Sequence, residues 1–298
     1  MRIAALALLF PLAGCSTNTD DGGARNENPQ KPSATPPATE TPRPGDQKAG
    51  LTWKGKQRHY TVHAPPGYTP SEQLPLVVVM HPYPADATYA AQLTGFNAKA
   101  DKERFLVAYP NGMNQGYNAL ICCGDEDDVG FIGAMTDRLV DTWNANPRRI
   151  YATGISNGAD MSFKLAVELP GTLAAIAPVS GGYIGAPAEN PTYMPKTPVS
   201  VATFVGGLDG YHDDFEQGIT LWSERLGCKA GRPEKVEGEI TRTSAKCRDR
   251  SKFLTYRLPD MGHKWPGSND PTMGDSEAGV NATDLIWEFF TSHQRTSP

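Results

Sequence analysis

A strand–turn–helix pattern lies in Arg149-Ile-Tyr-Ala-Thr-Gly154-Ile155-Ser156-Asn157-Gly158 and the following Ala159-Asp-Met-Ser-Phe-Lys-Leu-Ala166. An apolar, β-prone run enters Gly-x-Ser-x-Gly, and an amphipathic helical pattern leaves it. This is the context of a nucleophile elbow, in which a sharp turn strains the serine backbone. Side chains at Gly154 and Gly158 would collide with the neighbouring strand and helix, which favours glycine at both. The pattern predicts Ser156 as an exposed nucleophile at the carboxyl end of a sheet.

Strand and helix patterns alternate on both sides of this motif. Strands are predicted at residues 58–63, 76–80, 105–109, 173–179 and 199–205, helices at 94–104, 129–144, 215–226 and 285–290, and a strand pair at 239–243 and 253–257. The continuous run 76–80 is typical of a strand buried on both faces of a parallel sheet, and 58–63 of an early edge strand. The predicted class is α/β, with a mostly parallel central sheet and helices on both faces.

The amino-terminal residues predict export. Arg2, the apolar run 3–12 and Leu12-Ala-Gly-Cys15 form a signal peptide over residues 1–14. Leu-Ala-Gly-Cys resembles the bacterial lipobox, which implies that Cys15 is the lipidated first residue of a cell-envelope lipoprotein. The alternative is an ordinary secretory signal, an incidental Cys15 and an extracellular protein.

Composition divides the rest of the chain into two parts. Residues 15–50 are rich in Ser, Thr, Asn, Asp, Gly and Pro, which predicts a disordered tether. Residues 51–298 are enough for one α/β domain and too few for two. The net charge is −5 without a basic patch, so no nucleic-acid partner is expected. We expect a monomer that contacts the membrane through the lipid anchor.

Four cysteines follow Cys15: Cys122, Cys123, Cys228 and Cys247. They allow three pairings, because the adjacent cysteines either join through a strained ring or each find another partner. A Cys228–Cys247 disulfide would close a loop of about 20 residues and contribute about 3 kcal/mol in the chain-entropy model. No Cys-x-x-Cys or paired histidine accompanies them, so neither a metal nor a cofactor is expected.

A serine nucleophile needs a base and an orienting acid, which follow it in the order acid, then histidine, in α/β-hydrolases. Asp209 comes directly after the strand 199–205, at an edge of the sheet where ligands gather. His263 lies in the loop Pro259-Asp-Met-Gly-His263-Lys-Trp265-Pro-Gly267, after the strand 253–257. We expect Asp209 as the acid and His263 as the base. Asp260 is a fallback acid.

The oxyanion donors are predicted to be backbone N–H groups. One belongs to Asn157, and the other to the loop His81-Pro82-Tyr83-Pro84-Ala85 after the strand 76–80. Proline has no N–H, so Tyr83 is the best donor and Ala85 the second choice. His81 is expected to shape this loop and is a candidate substrate contact.

Two further aromatic residues are candidates for the substrate site. Trp265 follows the predicted base by two residues and Tyr211 follows the predicted acid by two. Either ring could line the acyl site. For Trp265 the alternative is a role in closing its loop onto the core.

From about residue 58 to 290 the chain resembles the secreted esterases of the polyhydroxybutyrate depolymerase and feruloyl esterase group, which are similar to carbohydrate esterase family 1. The matching pieces are Pro75-Leu-Val-Val-Val-Met-His81, Gly95-Phe-Asn-Ala-Lys-Ala-Asp101, Phe105-Leu-Val-Ala-Tyr-Pro110, Cys122-Cys-Gly124, Asp127-Asp-Val-Gly-Phe131, the elbow, Asp209, Trp222, Cys228 and Gly262-His-Lys-Trp-Pro-Gly267. The chain departs from the group at Pro82, where Gly is usual, and at Gly207, where Thr is common.

The resemblance implies an α/β-hydrolase fold with Ser156, Asp209 and His263 as its triad. It also implies a serine carboxylic ester hydrolase that acts through an acyl-enzyme on hydroxyalkanoate, feruloyl or acetyl esters. The alternatives are a lipid-anchored, non-catalytic binding protein on a hydrolase scaffold and a serine peptidase. The order of serine, acid and histidine argues against the first, and the lack of a propeller or cap-sized insertion against the second.

Overall fold

The computed structural model describes residues 41–296. Within this range eleven strands form one sheet in the order β1-β2-β4-β3-β5-β6-β7-β11-β10-β8, with β9 beside β10, and two short strands pair separately. The strands are β1 (Gly45–Trp53), β2 (Lys56–Ala64), β3 (Leu74–Met80), β4 (Leu106–Pro110), β5 (Ala145–Ile155), β6 (Ala175–Val179), β7 (Ser200–Gly206), β8 (Lys229–Ala230), β9 (Glu234–Glu237), β10 (Ile240–Lys246), β11 (Lys252–Leu258), β12 (Trp265–Pro266) and β13 (Gly274–Asp275).

Helices cover both faces of the sheet. They are α1 (Ala87–Thr94), α2 (Phe96–Glu103), α3 (Asp128–Trp143), α4 (Asn157–Glu168), α5 (Ala186–Glu189), α6 (His212–Leu226) and α7 (Ala282–Thr291), with a 3-10 turn at Met113–Gln115. The centre of the sheet, from β4 through β3, β5, β6 and β7 to β11, is parallel, and the strands at both edges are antiparallel. The predicted α/β class with a mostly parallel sheet is confirmed.

Alternate residues of the central strand β3 enter two different cores. Leu76 and Val78 pack with one apolar cluster and Val77 and Val79 with the other, and all four are fully buried. The first cluster includes aromatic residues of α3, α4 and α6, and the second those of α2 and α7. A strand with helices on both faces must be apolar at every position, which explains the unbroken run in the sequence.

Three features of the fold differ from the sequence prediction. The first strand begins at Gly45, inside the predicted tether 15–50, and its antiparallel partner β2 is therefore an inner strand and not the edge. The predicted helix 94–104 corresponds to α2, whereas α1 was not predicted and ends just before it at Gly95, which has a left-handed φ of 65°. A residue with positive φ cannot continue an α-helix, and glycine adopts this conformation at little cost.

Two disulfides are present in the described range. Cys228 pairs with Cys247, the pair expected from the sequence, and Cys122 pairs with its neighbour Cys123. Two disulfides are consistent with export to an oxidising compartment. None of the helices in residues 41–296 combines the length and apolarity that a bilayer span requires. Cys15 and the signal peptide lie outside the described residues.

Candidate active site

Ser156 occupies a strained turn between β5 and α4. Its backbone φ is 56° and its ψ is −124°, a conformation that L-residues rarely adopt. A Cβ atom at Gly154 would lie 2.6 Å from the Met80 carbonyl oxygen, and one at Gly158 would lie 2.3 Å from it. Only glycine therefore allows the turn to approach β3 so closely. These features are those of a nucleophile elbow.

Ser180, which the sequence analysis missed, connects the elbow to the loop of His263. The Ser156 N–H donates to the carbonyls of Val179 (3.2 Å) and Ser180 (3.1 Å). The Ser180 hydroxyl in turn donates to the carbonyl of Lys264, at 3.1 Å. Ser180 is fully buried and has a positive φ of 45°. The only sequence signal for this turn is Ser180-Gly-Gly after an apolar strand.

Asp209 and His263 form a hydrogen-bonded pair. His263 Nδ1 lies 2.8 Å from Asp209 Oδ2, and Asp209 Oδ1 accepts the Tyr211 N–H at 3.0 Å. The Asp209 side chain is fully buried, whereas the His263 side chain is 28% exposed. The pair forms because β7 and β11 are parallel neighbours, so the loops that follow them meet at one edge of the sheet. Backbone bonds between these loops, from Leu208 N to the Met261 carbonyl (2.9 Å), hold them together.

The remaining nitrogen of His263, Nε2, is free to face a nucleophile, since Nδ1 is engaged by Asp209. The Ser156 hydroxyl makes no hydrogen bond to any other residue of the described range. Contacts between nucleophile and base are commonly long in unliganded enzymes and tighten when substrate binds. The structure thus joins the acid to the base directly, and the elbow to the loop that contains the base through Ser180.

The loop that contains Tyr83 supplies one free N–H. The Ala85 N–H donates to the Gln115 carbonyl at 3.2 Å and is therefore occupied. The N–H groups of Tyr83 and Asn157 have no hydrogen-bond partner among residues 41–296. Of the two loop donors that the sequence allowed, Tyr83 is the one whose N–H is available. Its side chain is 53% exposed.

The side chain of Asn157 binds a second loop. Its Oδ1 accepts the Tyr117 N–H at 2.8 Å, and its Nδ2 donates to the carbonyls of Tyr117 (3.1 Å) and Cys122 (3.2 Å). The Cys122–Cys123 disulfide is thereby held next to the elbow. Nothing in the local sequence indicates these contacts, because Tyr117 and Asn157 are 40 residues apart.

His81 is a buried structural residue, which corrects its predicted role as a substrate contact. The side chain is fully buried, and its Nε2 accepts the Gly112 N–H at 3.0 Å. Its Nδ1 therefore donates to the Pro82 carbonyl at 2.8 Å, and burial lowers the pKa of the imidazole. Both nitrogens are occupied, so no ring atom remains for a substrate. The ring packs 4.4 Å from that of Tyr117 and shapes the loop, as the sequence also indicated.

The two aromatic candidates have different locations. Trp265 is 1% exposed, packs against Phe96 and donates its indole N–H to Thr283. The predicted contact of Trp265 with the acyl group is therefore wrong, because the indole is part of the core. Tyr211 is 53% exposed, and its ring lies 5.9 Å from that of His263. Tyr211 therefore remains a candidate contact at the mouth of the site.

Asp160, in the first turn of α4, is a buried carboxyl group that the sequence analysis missed. Its Oδ1 accepts the Gly182 N–H at 2.9 Å. Burial raises the pKa of Asp160 to about 7, while that N–H and the charge of His263 lower it. The carboxyl group links the helix behind Ser156 to the turn that contains Ser180.

The described residues contain no cluster of three or more His, Cys, Asp or Glu side chains suited to a metal ion. The functional groups at this edge of the sheet are the Ser156 hydroxyl, the His263 imidazole, the Asp209 carboxylate and backbone N–H groups. These groups can perform acyl transfer by nucleophilic catalysis.

Residues 58–194 match the family described as Esterase PHB depolymerase. "Putative esterase NocK" of Nocardia uniformis subsp. tsuyamanensis is 31% identical over 277 residues, which cover 79% of each chain. Feruloyl esterase C of Emericella nidulans is 28% identical over 253 residues, covering 78% of this chain and 83% of the relative.

The fold is shared with a solved esterase. The acetyl xylan esterase from Aspergillus awamori superposes with a TM-score of 0.61 at 14% identity, over 82% of this chain and 99% of its own. The predicted α/β-hydrolase fold is confirmed, and neither the binding-protein nor the peptidase alternative finds support in these relatives. The chain belongs to the esterase PHB depolymerase family and is a serine carboxylic ester hydrolase.

Proposed function

We propose that Ser156, His263 and Asp209 hydrolyse a carboxylic ester through an acyl-enzyme. The observation that carries the assignment is the 2.8 Å contact between His263 Nδ1 and the buried Asp209 carboxylate. A buried carboxylate fixes the imidazole in the tautomer with a proton on Nδ1, so that Nε2 can accept the proton of a nucleophile. Ser156, at the elbow that Ser180 joins to the His263 loop, is the hydroxyl suited to this role.

In this mechanism His263 Nε2 accepts the Ser156 proton as Oγ attacks the ester carbonyl carbon. The N–H groups of Tyr83 and Asn157 stabilise the negative charge on the carbonyl oxygen of the tetrahedral intermediate. His263 then donates the proton to the leaving alcohol. Water, activated by the same imidazole, attacks the acyl-enzyme and releases the acid.

The substrates that we propose are hydroxyalkanoate, feruloyl or acetyl esters. The names of the matching family and of the relatives support these classes. Exposed apolar side chains support them as well, since Tyr83, Ile121 and Tyr211 are each at least 50% exposed on loops around the site.

A fluorophosphonate probe tests the nucleophile. It should label the purified protein at Ser156, and Ser156→Ala should abolish both labelling and hydrolysis of p-nitrophenyl esters. Ser162→Ala is the matched control, because this serine lies on the next turn of α4 with its hydroxyl bonded to the Gly158 carbonyl. Labelling of the Ser156→Ala variant, or turnover above about one percent of wild type, would overturn the assignment.

We also propose that Cys15 carries lipid and that a tether joins it to the strand at Gly45, so that the enzyme acts at the cell envelope. The support is the lipobox-like Leu12-Ala-Gly-Cys15. Intact mass of protein expressed in bacteria should show a chain that begins at Cys15 with added acyl mass. Cys15→Ser should remain unprocessed or become soluble. A wild-type chain that begins elsewhere without acyl mass would refute the anchor.

A further inference from the structure

The segment 111–118, here called the bridging segment, contacts the loop after β3 that contains one proposed oxyanion donor. The Gly112 N–H donates to His81 Nε2 at 3.0 Å, at the start of that loop. The Gln115 carbonyl accepts the Ala85 N–H at 3.2 Å, at its other end. The bridging segment therefore supports this loop on both sides of the donor.

The same segment also contacts α4, whose first residue supplies the other proposed donor. The Tyr117 N–H donates to Asn157 Oδ1 at 2.8 Å. The Asn118 carbonyl accepts a hydrogen bond from Lys164 Nζ at 2.7 Å. The position of the bridging segment thus sets where the two donor segments lie relative to each other.

One buried ion pair holds both ends of the bridging segment. Arg58 of β2 donates to Asp128 at the start of α3, and their side chains are 2% and 1% exposed. The same guanidinium donates to the Asn111 carbonyl at 3.1 Å. The second carboxylate oxygen of Asp128 accepts the Asn118 N–H at 2.7 Å. The first and the last residue of the segment are therefore bound to the two partners of a single pair.

Stability alone does not explain this pair. Removing two charges from water costs about as much as their attraction returns, so apolar residues of similar volume are often equally stable. Burial raises the pKa of Asp128, although the Asn118 N–H and Arg58 lower it. Arg58 Nε is buried without a hydrogen-bond partner among residues 41–296. What apolar residues could not supply is the pair of hydrogen bonds to the backbone of the bridging segment.

We propose that Arg58 and Asp128 are positioning residues for the oxyanion donors. By fixing the ends of the segment 111–118, they fix the separation of the Tyr83 and Asn157 N–H groups. The inference rests on the proposed function, because these N–H groups act on the tetrahedral intermediate of the Ser156 reaction. Both side chains are buried and act through the backbone. Their loss should therefore weaken binding of the transition state and not of the substrate.

Asp128→Asn tests the proposal, with p-nitrophenyl acetate as substrate and phenylboronic acid as inhibitor. The variant should lower kcat about tenfold or more and leave KM within about twofold of the wild type. Phenylboronic acid becomes tetrahedral at boron when it binds Ser156, so it resembles the intermediate. Its inhibition constant should rise in proportion to the loss of kcat. A change in KM with unchanged kcat and unchanged inhibition would overturn the proposal.

Asp127→Asn is the matched control, because this neighbouring carboxylate lies at the same end of α3. Its hydrogen bonds and salt bridge involve Gly130, Trp53 and Lys54, none of which belongs to the bridging segment. We expect kcat and the inhibition constant of phenylboronic acid to stay near the wild-type values. A loss of kcat equal to that of Asp128→Asn would show a general effect of loosening α3 and overturn the proposal.

The double variant Arg58→Met/Asp128→Leu separates positioning from stability. It removes both charges and fills their space, so its urea midpoint should lie close to that of the wild type. Its kcat should nevertheless stay low, because neither new side chain can bind the backbone of Asn111 or Asn118. Recovery of kcat would overturn the proposal, since an unpaired buried charge would then explain the loss in Asp128→Asn. This comparison also decides the matter if Asp128→Asn does not fold.

Failure of the proposed function would give a different result. The wild type would then neither hydrolyse p-nitrophenyl acetate nor react with a fluorophosphonate at Ser156. Failure of the positioning proposal alone would leave the wild type active and labelled, with the changes in the variants confined to stability.

Discussion

The side-chain amide of Asn157 pairs with the backbone of Tyr117 through both of its polar groups. Oδ1 accepts the Tyr117 N–H at 2.8 Å, and Nδ2 donates to the Tyr117 carbonyl at 3.1 Å. Tyr117 also packs against the His81 ring at 4.4 Å and donates its hydroxyl to the Pro110 carbonyl. One residue thus connects the helix that begins at Asn157 with the loop that contains Tyr83. These are the two segments to which we assign the oxyanion donors.

Replacing Asn157 by Ala should therefore reduce kcat more than it affects KM. The backbone donor of residue 157 remains, but the buried Tyr117 N–H loses its acceptor, at about 1–3 kcal/mol of unfolding free energy. The carbonyls of Tyr117 and Cys122 keep the backbone N–H groups that they also accept. We expect kcat to fall about tenfold or more, because the N–H groups of Tyr83 and Asn157 are no longer held at fixed positions relative to each other. Steady-state kinetics and denaturant unfolding measure both effects.

Asn118→Ala is the control for that experiment. Its side-chain amide donates to the Glu126 carbonyl within the same region, and its backbone carbonyl, which the substitution retains, accepts a hydrogen bond from Lys164 of α4. A loss of kcat in Asn118→Ala equal to that in Asn157→Ala would show that general loosening of the loop, and not the Asn157 contact, lowers the rate.

Asp209→Asn should lower kcat on the order of 10⁴-fold with little change in stability. The amide can present its N–H to His263 Nδ1, which favours the tautomer with the proton on Nε2 and leaves no base for the nucleophile. Asp260→Asn is the comparison, because Asp260 is exposed and was the second candidate acid from the sequence. If Asp260→Asn proves inactive and Asp209→Asn active, the acid is Asp260.

Proline substitution separates the two N–H groups of the loop after β3. Tyr83→Pro should lose about 10²- to 10³-fold in kcat, because it deletes the free donor, whereas Tyr83→Phe should keep most of its activity. Ala85→Pro should instead lose stability, since the Ala85 N–H is bonded to the Gln115 carbonyl. Circular dichroism must show that each variant is folded. A folded, active Tyr83→Pro beside a folded, inactive Ala85→Pro would assign the donor to Ala85.

The buried carboxyl of Asp160 should make stability depend on pH. Its pKa is raised from 3.8 to about 7 by burial, so between these values the folded state holds a proton that the unfolded state has lost. The unfolding free energy should therefore fall as the pH rises through this window, by at most about 1.4 kcal/mol per pH unit from this group. Asp160→Asn retains an acceptor for the Gly182 N–H and should flatten the dependence. Urea unfolding at pH 5 and pH 7 measures this change in unfolding free energy. A change of equal size in the wild type and in Asp160→Asn would contradict the prediction.

The sequence by itself determined the class of fold and most of the residues now proposed for catalysis. Local patterns suffice for these features, because a parallel strand buried on both faces must be apolar throughout and the elbow requires glycine on either side of Ser156. Asp209 and His263 lie in loops that follow neighbouring parallel strands, so the sequence alone places both residues at the same edge of the sheet. Tyr83 emerged because the prolines on either side of it have no N–H to donate.

Only the tertiary structure decided which aromatic and polar residues are in the core and which are at the site. Trp265 and His81 are next to the site in sequence, yet the packing of Phe96 and Thr283 buries the first and the Gly112 N–H occupies the second. The pairing of Asn157 with Tyr117 joins segments 40 residues apart. Such contacts depend on which loops meet at the carboxyl edge of the sheet, and the periodicity of a single strand or helix contains no information about a partner from a distant loop.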